Sequence, residues 1–433
     1  MRILNVFPIY GAALHGGAEV YEYQLTQRLA GLGNTVEVLT TCTQRLRHTS
    51  AFTSRWARDV SPGAAHDGAV LVRRFAVSGS LPGPAGAAIG RAIFRRWAAE
   101  DGDPPDGDDA ITAMSRRALA RPAVYDWLLT LARGPHSIGL VRALWQNAPQ
   151  ADVVLAGFVP FATLSYAARA AAAARRPLVL LPFFHPDDRY HHFRVFYRYF
   201  AQASAVLAQS PYSADLFRQL APGANPVQVG VGIDPTELTA RSISGARFRA
   251  RHGLEGKRVV LFVGRKEAAK RYDLAVDAVT TLADERVVLV MIGQDVDGRP
   301  IGSAYTRYLG AVDRSELLDA YDACDVFVLP SEHESFGIVF LEAWMRGKPV
   351  LGNRHCRPVA SVIDNGADGY LCGDASEFAA RIRTLLDEPN HAAALGRAGR
   401  AKASGRYTWD AIAQRVHALC EGLVAGGPES DHR

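Results

Sequence analysis

The sequence predicts an α/β protein with two domains, each built on a mostly parallel β-sheet. Its 433 residues exceed what one ordinary hydrophobic core accommodates. Short apolar runs alternate with helical patterns, as in βαβ units. These runs are apolar throughout rather than alternating, which is typical of strands that helices cover on both faces.

The strand candidates fall into two groups along the chain. The first half contains RILNVFPI, TVEVLTT, ADVVLAGF, PLVLLPFF and AVLAQS; the second contains RVVLFVG, RVVLVMIG, DVFVLPS and KPVLGN. Between them, the Gly and Pro residues of VGVGIDPTELTA, residues 229–240, indicate a linker. We therefore predict a first domain over 1–232, completed by a C-terminal helix over 406–433, and a second domain over 233–405.

Residues 78–110 differ from the rest, with Gly and Pro at both ends and an acidic loop. With the helical patterns up to Trp145, they predict an insertion over 78–145. Its segment AAIGRAIFRRWAAE interleaves four large apolar residues with three arginines: Ile89, Ile93, Phe94 and Trp97 with Arg91, Arg95 and Arg96. That pattern suits a helix at a lipid interface, and equally a helix packed on the first domain with its arginines in solvent.

Composition narrows the classes of function. The chain is 48% hydrophobic and 21% charged, as in soluble globular proteins, and its net charge is +5. This small charge suits an acidic ligand or weak attraction to anionic lipid, and does not favour nucleic acid. Five scattered cysteines without C-x-x-C spacing predict reduced thiols in a cytoplasmic protein. The start, MRILNVFPIYGA, is better explained as a buried strand than as a signal peptide.

The segment SEHESFGIVFLEAW, residues 331–344, carries the most specific pattern. It follows the predicted strand DVFVLP and places a helix start near Gly337. A helix N-terminus carries about half a positive charge and binds phosphate readily. Loops at the carboxyl ends of parallel strands bind ligands in open α/β sheets. Glu334, before the helix, can reach a sugar hydroxyl, and Glu342, within it, can accept hydrogen bonds from a ribose.

A second strand end lies upstream, in FVGRKEAAKRYDLAVDAV, residues 262–279. Here Arg265 and Lys270 follow Gly264 in a loop before a helix. Two cations at this position can bind a diphosphate, Arg through its planar fork and Lys as a point charge. Loop cations are more often simply solvated, so this prediction depends on the neighbouring pattern.

Taken together, these elements resemble retaining glycosyltransferase family 4, whose fold is GT-B. The resemblance consists of VGR, a following Lys, IG, P-S-x-x-E-S-F-G with E-x7-E, and E-A-W-x-x-G-K-P-V, and it covers residues 258–350 closely. In the first domain it is looser, with GGAE at 16–19, AQSPYSADLF and VGVGID. The final helix from Tyr407 resembles the family's terminal helix that crosses back to the first domain.

The resemblance implies two Rossmann-like, doubly wound domains facing a central cleft, and sugar transfer from a nucleotide-diphosphate sugar with retention. It implies catalytic roles for His185, Arg265, Lys270 and Glu334. It implies donor binding by Gly16, Gly17, Gly264, Arg265, Lys270, Glu334, Ser335, Phe336, Gly337, Ile338 and Glu342. We expect a UDP- or GDP-sugar as donor, and a glycan, glycolipid or small-molecule acceptor. We assign His15 and His333, which lie near the expected cleft, no catalytic role.

The sequence departs from the family pattern in two places. The family's Gly-Gly pair after E-x7-E is replaced by a loop containing Arg354, His355 and Arg357, so we carry over no donor or acceptor contact to this loop. The insertion is the second departure. Three D-x-D strings occur, at 101–103, 106–108 and 295–297. Such a pair binds Mg²⁺ in another glycosyltransferase fold, but we interpret all three as non-ligands. The expectation is therefore transfer without a metal or other cofactor.

Other functions remain open at this stage. A GT-B nucleotide-sugar hydrolase or epimerase and a phosphorylase would share the fold, although no Schiff-base lysine for a pyridoxal cofactor stands out. A non-catalytic sugar-binding subunit is an alternative from another class, and retention of Arg265, Lys270, Glu334 and Glu342 argues against it. A Rossmann oxidoreductase is disfavoured because no G-x-G-x-x-G follows a strand. We expect a cytoplasmic enzyme, with peripheral contact at the inner face of the membrane.

Overall fold

The computed structural model describes residues 1–14, 16–44, 59–77, 88, 92, 108–186 and 188–426. It divides into two compact units. The first comprises 1–208, 214–229 and 413–433, and the second comprises 209–213 and 230–412. The sequence-based domains divide at residues 232 and 233, close to the point where the second unit takes over the chain. The segment AAIGRAIFRRWAAE lies, apart from Ala88 and Ala92, outside the described residues.

The first unit contains an eight-stranded sheet in the order β3-β4-β2-β1-β5-β6-β7-β8. All neighbouring strands are parallel except β3 and β4, which pair antiparallel. The strands are β1 Arg2–Val6, β2 Thr35–Thr41, β3 Gly63–Asp67, β4 Val70–Phe75, β5 Val153–Gly157, β6 Leu178–Leu181, β7 Ala205–Ala208 and β8 Pro226–Gln228. Strand order reverses between β1 and β5, so their carboxyl ends flank a topological switch point.

Helices connect these strands and cover the sheet. They are α1 Gly17–Gly31, α2 Asp108–Ala120, α3 Val124–Arg133, α4 Ile138–Asn147, α5 Ala162–Ala173, α6 Arg194–Gln202 and α7 Pro211–Leu220. Helix α4 lies within the predicted insertion, yet it packs on β2, β4 and α5 and buries Leu140 and Leu144. The apolar face of this helix therefore belongs to the core of the first unit, and the insertion over 78–145 stays a prediction.

The second unit contains a six-stranded, wholly parallel sheet in the order β11-β10-β9-β12-β13-β14. Its strands are β9 Arg258–Val263, β10 Val287–Ile292, β11 Thr306–Gly310, β12 Val326–Leu329, β13 Val350–Asn353 and β14 Gly369–Cys372. In chain order this is the 3-2-1-4-5-6 arrangement of dinucleotide-binding sheets. Its switch point lies between β9 and β12.

The helices of the second unit complete the fold. They are α8 Pro235–Leu238, α9 Gly245–Arg251, α10 Tyr272–Leu282, α11 Arg314–Ala323, α12 Ile338–Met345, α13 Arg357–Ala360, α14 Ala375–Asp387 and α15 Pro389–Arg406. The last helix, α16 Trp409–Ala425, begins in the second unit and continues in the first. Asp313 and Asp374 cap α11 and α14 by accepting hydrogen bonds from the backbone N–H groups of Glu316 and Glu377, which fixes where these helices begin.

All nine strand candidates appear as strands, and the predicted fold class is confirmed. Five strands were missed: β3, β4, β8, β11 and β14. Each lies toward a sheet edge, is short or partly exposed, and so lacks a continuous apolar run. No helix of the described chain is long and apolar enough to cross a membrane.

Candidate active site

Two loops flank the switch point of the second sheet. One follows β9 and contains Gly264, Arg265 and Lys270; the other follows β12 and contains Glu334 and Gly337. Backbone and side-chain bonds join them: the Glu332 N–H donates to the Ala269 carbonyl at 3.1 Å, and Ser331 Oγ donates to the same oxygen at 3.3 Å. The two loops therefore form one connected structure at the edge of the sheet where α/β proteins bind ligands.

The central contact of this site is an ion pair between Lys270 and Glu334. Lys270 Nζ lies 2.7 Å from Glu334 Oε1, and each side chain is 15% exposed. The ammonium also lies 3.4 Å from the His333 carbonyl oxygen. Lys270 ends a 3₁₀ turn, Ala268–Lys270, and Arg271 follows in the left-handed region with φ 45°. This turn directs the ammonium toward the loop after β12, so a cation and a carboxylate predicted separately meet in the structure.

Arg265 occupies the same loop but points elsewhere. Its guanidinium pairs with Glu267 at 2.8 Å, and its side chain is 61% exposed. The backbone next to it is tightly packed: a Cβ on Gly293, at φ +149°, would lie 1.9 Å from the Gly264 carbonyl oxygen. Gly293 is thus required for the loops after β9 and β10 to approach each other, and this packing fixes the backbone from which Arg265 extends.

Helix α12 starts at the switch point with its N-terminus uncapped by a side chain. Its N-cap residue is Gly337, with φ 85°, and a Cβ there would lie 2.7 Å from Phe340 Cδ2. Phe336 is buried and its ring packs edge-on against Tyr407 at 5.3 Å, while Ser335 and Ile338 are exposed. The first N–H groups of α12 follow Glu334 by a few residues in the chain and have no side-chain cap, and they carry the positive end of the helix dipole.

Glu342, inside α12, is 7% exposed and both of its carboxylate oxygens are bonded. Arg314 donates to Oε1 at 2.7 Å, and the Tyr321 hydroxyl donates to Oε2 at 2.7 Å. Burial and the adjacent Glu342 raise the pKa of Tyr321 well above its usual value, so this phenol remains a donor. Each carboxylate oxygen has a second lone pair, so the group can still accept hydrogen bonds from a diol.

A second buried charge lies behind the loop after β9. Lys266 is 1% exposed, lies 2.8 Å from Asp295 Oδ1 and contacts Asp297 directly. Tyr272 donates to Asp297 at 2.7 Å. Burial acts against the charge, yet the hydrogen bonds to both carboxylates raise the pKa of Lys266. The 295–297 carboxylates are thus committed to a lysine, and residues 101–107 of the other two D-x-D strings lie outside the described residues.

The site residues predicted in the first domain follow β1 and β6 of the first sheet. Gly16 caps α1 after β1, and Glu19 folds back over it, so a Gly16 Cβ would meet Glu19 Oε2 at 2.0 Å. Gly17 is exposed, as is His185, which follows β6. His15 lies outside the described residues. The side chain of His333 is exposed in the second unit.

The loop that departs from the family pattern follows β13. Arg354 pairs with Glu377, and Arg357 stacks 4.9 Å from the Tyr212 ring centroid. Between them Cys356 is buried, and burial raises the pKa of its thiol to about 11. A thiol of this kind is protonated at neutral pH and is a poor nucleophile.

Sequence reasoning identified Lys270, Glu334, Gly337 and Glu342 as parts of one site, and the structure places all four around α12 and its preceding loop. It missed Arg314 and Tyr321, the partners of Glu342, and the Lys266 cluster. Both residues lie on α11, and they reach Glu342 only through tertiary packing. No spacing along the chain could have indicated that contact. The roles of the site residues in binding or catalysis stay predictions.

Known proteins share both the fold and part of the sequence. Residues 246–402 match the family model described as "Glycosyl transferases group 1". The chain is 30% identical over 198 residues to glycogen synthase of Mycobacterium tuberculosis, and the aligned region covers 42% of this chain and 48% of that protein. It is 33% identical over 224 residues to D-inositol 3-phosphate glycosyltransferase of Kineococcus radiotolerans, covering 44% and 51%. The chain spans about half the length of these relatives.

The structural likeness extends over nearly the whole chain. The Anabaena protein HepE, solved in complex with UDP and glucose, superimposes with a TM-score of 0.61, covering 98% of this chain and all of that one. The fold is GT-B. At 20% identity this likeness establishes the fold alone. The family match lies entirely within the second unit, which contains Arg265, Lys270, Glu334 and Glu342.

Proposed function

We propose that the protein is a retaining glycosyltransferase of family 4, which transfers a sugar from a nucleotide-diphosphate sugar to an acceptor hydroxyl. The observation that carries this proposal is the Lys270–Glu334 pair at the N-terminus of α12, on the switch point of a 3-2-1-4-5-6 sheet. A cation for phosphate, a carboxylate for sugar hydroxyls and a helix N-terminus lie within one connected pair of loops. These are the groups that a nucleotide sugar requires.

The donor lies across these groups in the proposed complex. Lys270 and Arg265 bind the diphosphate, and the first N–H groups of α12 meet its oxygens. Glu334 accepts hydrogen bonds from the sugar, and Glu342 accepts them from the ribose. Arg265 must leave Glu267 to do this; an exposed ion pair is worth only about 0 to 1 kcal/mol, so the exchange is inexpensive. We propose UDP or GDP as the nucleotide; HepE, the Anabaena structure, was solved with UDP and with UDP-glucose.

The transfer step proceeds by front-face attack. The acceptor hydroxyl oxygen forms a bond to the anomeric carbon while the bond from that carbon to the diphosphate oxygen breaks. The departing oxygen takes the acceptor's proton, which balances the reaction. Configuration is retained because the acceptor attacks from the same face that the diphosphate leaves. Glu334 is paired with Lys270 at 2.7 Å, which makes it a weak nucleophile and favours this route over a covalent intermediate. His185 faces the sugar in this proposal.

Charge on the leaving diphosphate must be compensated without a metal ion. Arg265, Lys270 and the α12 N-terminus together supply roughly two and a half positive charges, about as much as a divalent cation. Fixed groups of this kind stabilise charge that develops in a transition state. We therefore propose that activity survives EDTA. Rates that disappear with EDTA and return with Mg²⁺ would contradict this account.

We propose a glycan, a lipid-linked glycan or a small molecule as the acceptor, and a cytoplasmic enzyme at the inner face of the membrane. Four of the eight large apolar side chains exposed in the described chain fall between residues 119 and 145: Leu119, Val124, Ile138 and Trp145. Flotation with anionic liposomes tests the contact. Simultaneous Arg91→Ala, Arg95→Ala and Arg96→Ala should reduce flotation, and equal flotation of both proteins would exclude it.

Two measurements test the function itself. Thermal shifts with UDP, GDP and ADP identify the nucleotide; a ligand at a hundred times its dissociation constant should add about 2.7 kcal/mol of apparent stability. Labelled sugars on the preferred nucleotide are then offered with candidate acceptors. Transfer supports the proposal. Release of free sugar with every acceptor would instead indicate a nucleotide-sugar hydrolase, and nucleotide binding without turnover would indicate a non-catalytic subunit.

A further inference from the structure

The loop after β6 contains the exposed His185 and has several internal hydrogen bonds. We name as the histidine loop the residues His185, Pro186 and 188–193. Its backbone is closed by internal hydrogen bonds: the Asp188 N–H donates to the His185 carbonyl at 3.1 Å, and the His191 N–H donates to the Asp188 carbonyl at 2.8 Å. The Tyr190 N–H donates to Asp188 Oδ1 at 2.8 Å. The loop is therefore a defined turn.

His191 lies at the centre of this turn and is 5% exposed. Its Nδ1 lies 2.9 Å from the backbone nitrogen of His185, which must be the donor, so Nδ1 is an unprotonated acceptor. Its Nε2 faces the Asp188 carboxylate, 3.7 Å away. The two imidazole rings are 5.3 Å apart. The neutral ring thus carries its proton on Nε2 and contacts His185 through both a hydrogen bond and packing.

The surroundings keep His191 neutral and in place. Burial lowers the pKa of His191 well below its usual value, and the neighbouring His185, Arg133 and His192 lower it further. Arg133, at the end of α3, is itself buried and lies over the Tyr190 ring at 5.1 Å. The loop therefore packs against a helix of the region that sequence reasoning took for an insertion.

We propose that His191 is a positioning residue for His185: its Nδ1 holds the backbone of His185 and so fixes the direction of the exposed imidazole. A backbone N–H held at a defined point leaves His185 only the rotations of its own side chain. Displacing a reacting or binding group by about 1 Å can cost 100-fold in rate. The inference rests on the proposed role of His185 at the sugar. It states that the buried His191, six positions further along the chain, determines how accurately His185 is placed.

Substitutions that keep or remove the acceptor at Nδ1 test this inference. His191→Asn places its Oδ1 close to the position of Nδ1, whereas His191→Gln extends its amide beyond it and His191→Leu has no acceptor. We expect kcat to fall about tenfold or more for Leu and Gln, and less than threefold for Asn. The affinity for the nucleoside diphosphate should stay within twofold in all three. His417→Leu is the matched control, since His417 Nδ1 also lies 3.0 Å from an amide nitrogen, that of Asn34.

A second comparison separates positioning from general damage. If His191 acts through His185, then His191→Gln in a His185→Ala background should lower kcat less than twofold further. Multiplicative losses would overturn the inference, as would equal losses in the Asn and Gln variants. If His191→Leu does not fold, the Asn and Gln pair still decides.

One readout does not need turnover. In ¹⁵N-histidine NMR spectra of the full chain, the His191 signals, assigned through the Asn variant, should show a neutral ring with its proton on Nε2. A proton on Nδ1 would overturn the inference even in an active enzyme. If the wild-type protein transfers no sugar while this signature is present, the proposed function fails and the hydrogen bond stands.

Discussion

The two sheets share a strand order around their switch points, and each has a buried glutamate nearby. The two glutamates differ in their hydrogen bonding. In the second unit, Glu342 has a bond to each carboxylate oxygen. In the first unit, Glu22 on α1 is 1% exposed, and neither oxygen has a hydrogen-bond partner among the described residues. It lies beside Gly157 at the end of β5, where an added Cβ would come within 3.3 Å of Oε1. Burial and nearby Glu19 raise the pKa of Glu22 well above its usual value.

This difference shows that fold alone does not determine the charge at a switch point. The first unit does pair buried carboxylates elsewhere: Glu37 is 5% exposed and bonds Arg2 and Arg73 at 3.3 and 3.0 Å. Glu22 is therefore a local exception. An ionised acid is useful where it can meet a ribose or a sugar, and its charge then needs compensating partners. A buried acid without partners is held neutral, so the first unit keeps negative charge away from the corresponding position.

The largest effect should come from removing the cation beside the second switch point. We expect Lys270→Ala to lower turnover about 100-fold or more, as for removal of one fixed donor to a developing anion. Steady-state rates on a saturating donor provide the measurement. Lys257→Ala is the control, because Lys257 donates to the Glu285 carbonyl near the amino ends of the strands. A Lys270→Ala enzyme at the wild-type rate would mean that the partnered charges of this unit serve structure alone.

The next largest effect concerns Glu342. We expect Glu342→Gln to lower the free energy of unfolding by about 2 kcal/mol, because the buried bonds from Arg314 and Tyr321 lose a charged acceptor. Nucleotide affinity should fall as well if this group also meets the ribose. Urea unfolding and a nucleotide titration measure the two losses separately. Normal affinity in a destabilised variant would limit Glu342 to a structural role.

Sequence reasoning recovered the parts of the molecule that local patterns determine. The buried strands and the start of α12 at Gly337 follow from continuous apolar runs and from the Phe-Gly step. The sequence predicted that Lys270 and Glu334 bind the same ligand, because both lie in loops at the carboxyl ends of strands. It did not predict that they contact each other. Their direct pairing depends on the left-handed Arg271, which no propensity indicated.

What sequence reasoning could not supply is pairing across elements. Glu22 reads as an ordinary polar position on an amphipathic helix, and nothing in GGAEVYEY indicates that it faces the sheet. Likewise, the role of Lys266 as a partner of Asp295 and Asp297 depends on β9 and β10 lying side by side. The missed edge strands β11 and β14 became visible only through the neighbours to which they bond.

A smaller effect is expected at Arg265. Arg265→Lys keeps the charge but loses the planar fork, which can bind two phosphate oxygens at once. Loss of one charge-assisted hydrogen bond of about 1.5 kcal/mol corresponds to about a tenfold fall in kcat/KM. Because the Arg265 side chain is 61% exposed, stability should not change. Arg286→Lys, at an exposed arginine paired with Asp284 before β10, is the control. Unchanged kinetics for Arg265→Lys would remove this residue from the proposed diphosphate site.

The smallest effect, and the one that tests the comparison from the other side, concerns Glu22. Its pKa is raised on folding, so its unfavourable contribution is absent below the unfolded pKa of about 4.3 and grows as pH rises toward the folded pKa. Glu22→Gln removes this dependence. The stability of the variant minus that of wild type should therefore be about 1 kcal/mol larger at pH 7 than at pH 4. Glu37→Gln should destabilise the protein, because it weakens the bonds to Arg2 and Arg73. Urea unfolding of both variants at the two pH values is the measurement. A Glu22→Gln effect that does not change with pH would show that Glu22 gains a compensating partner in solution, and the contrast between the two switch points would then disappear.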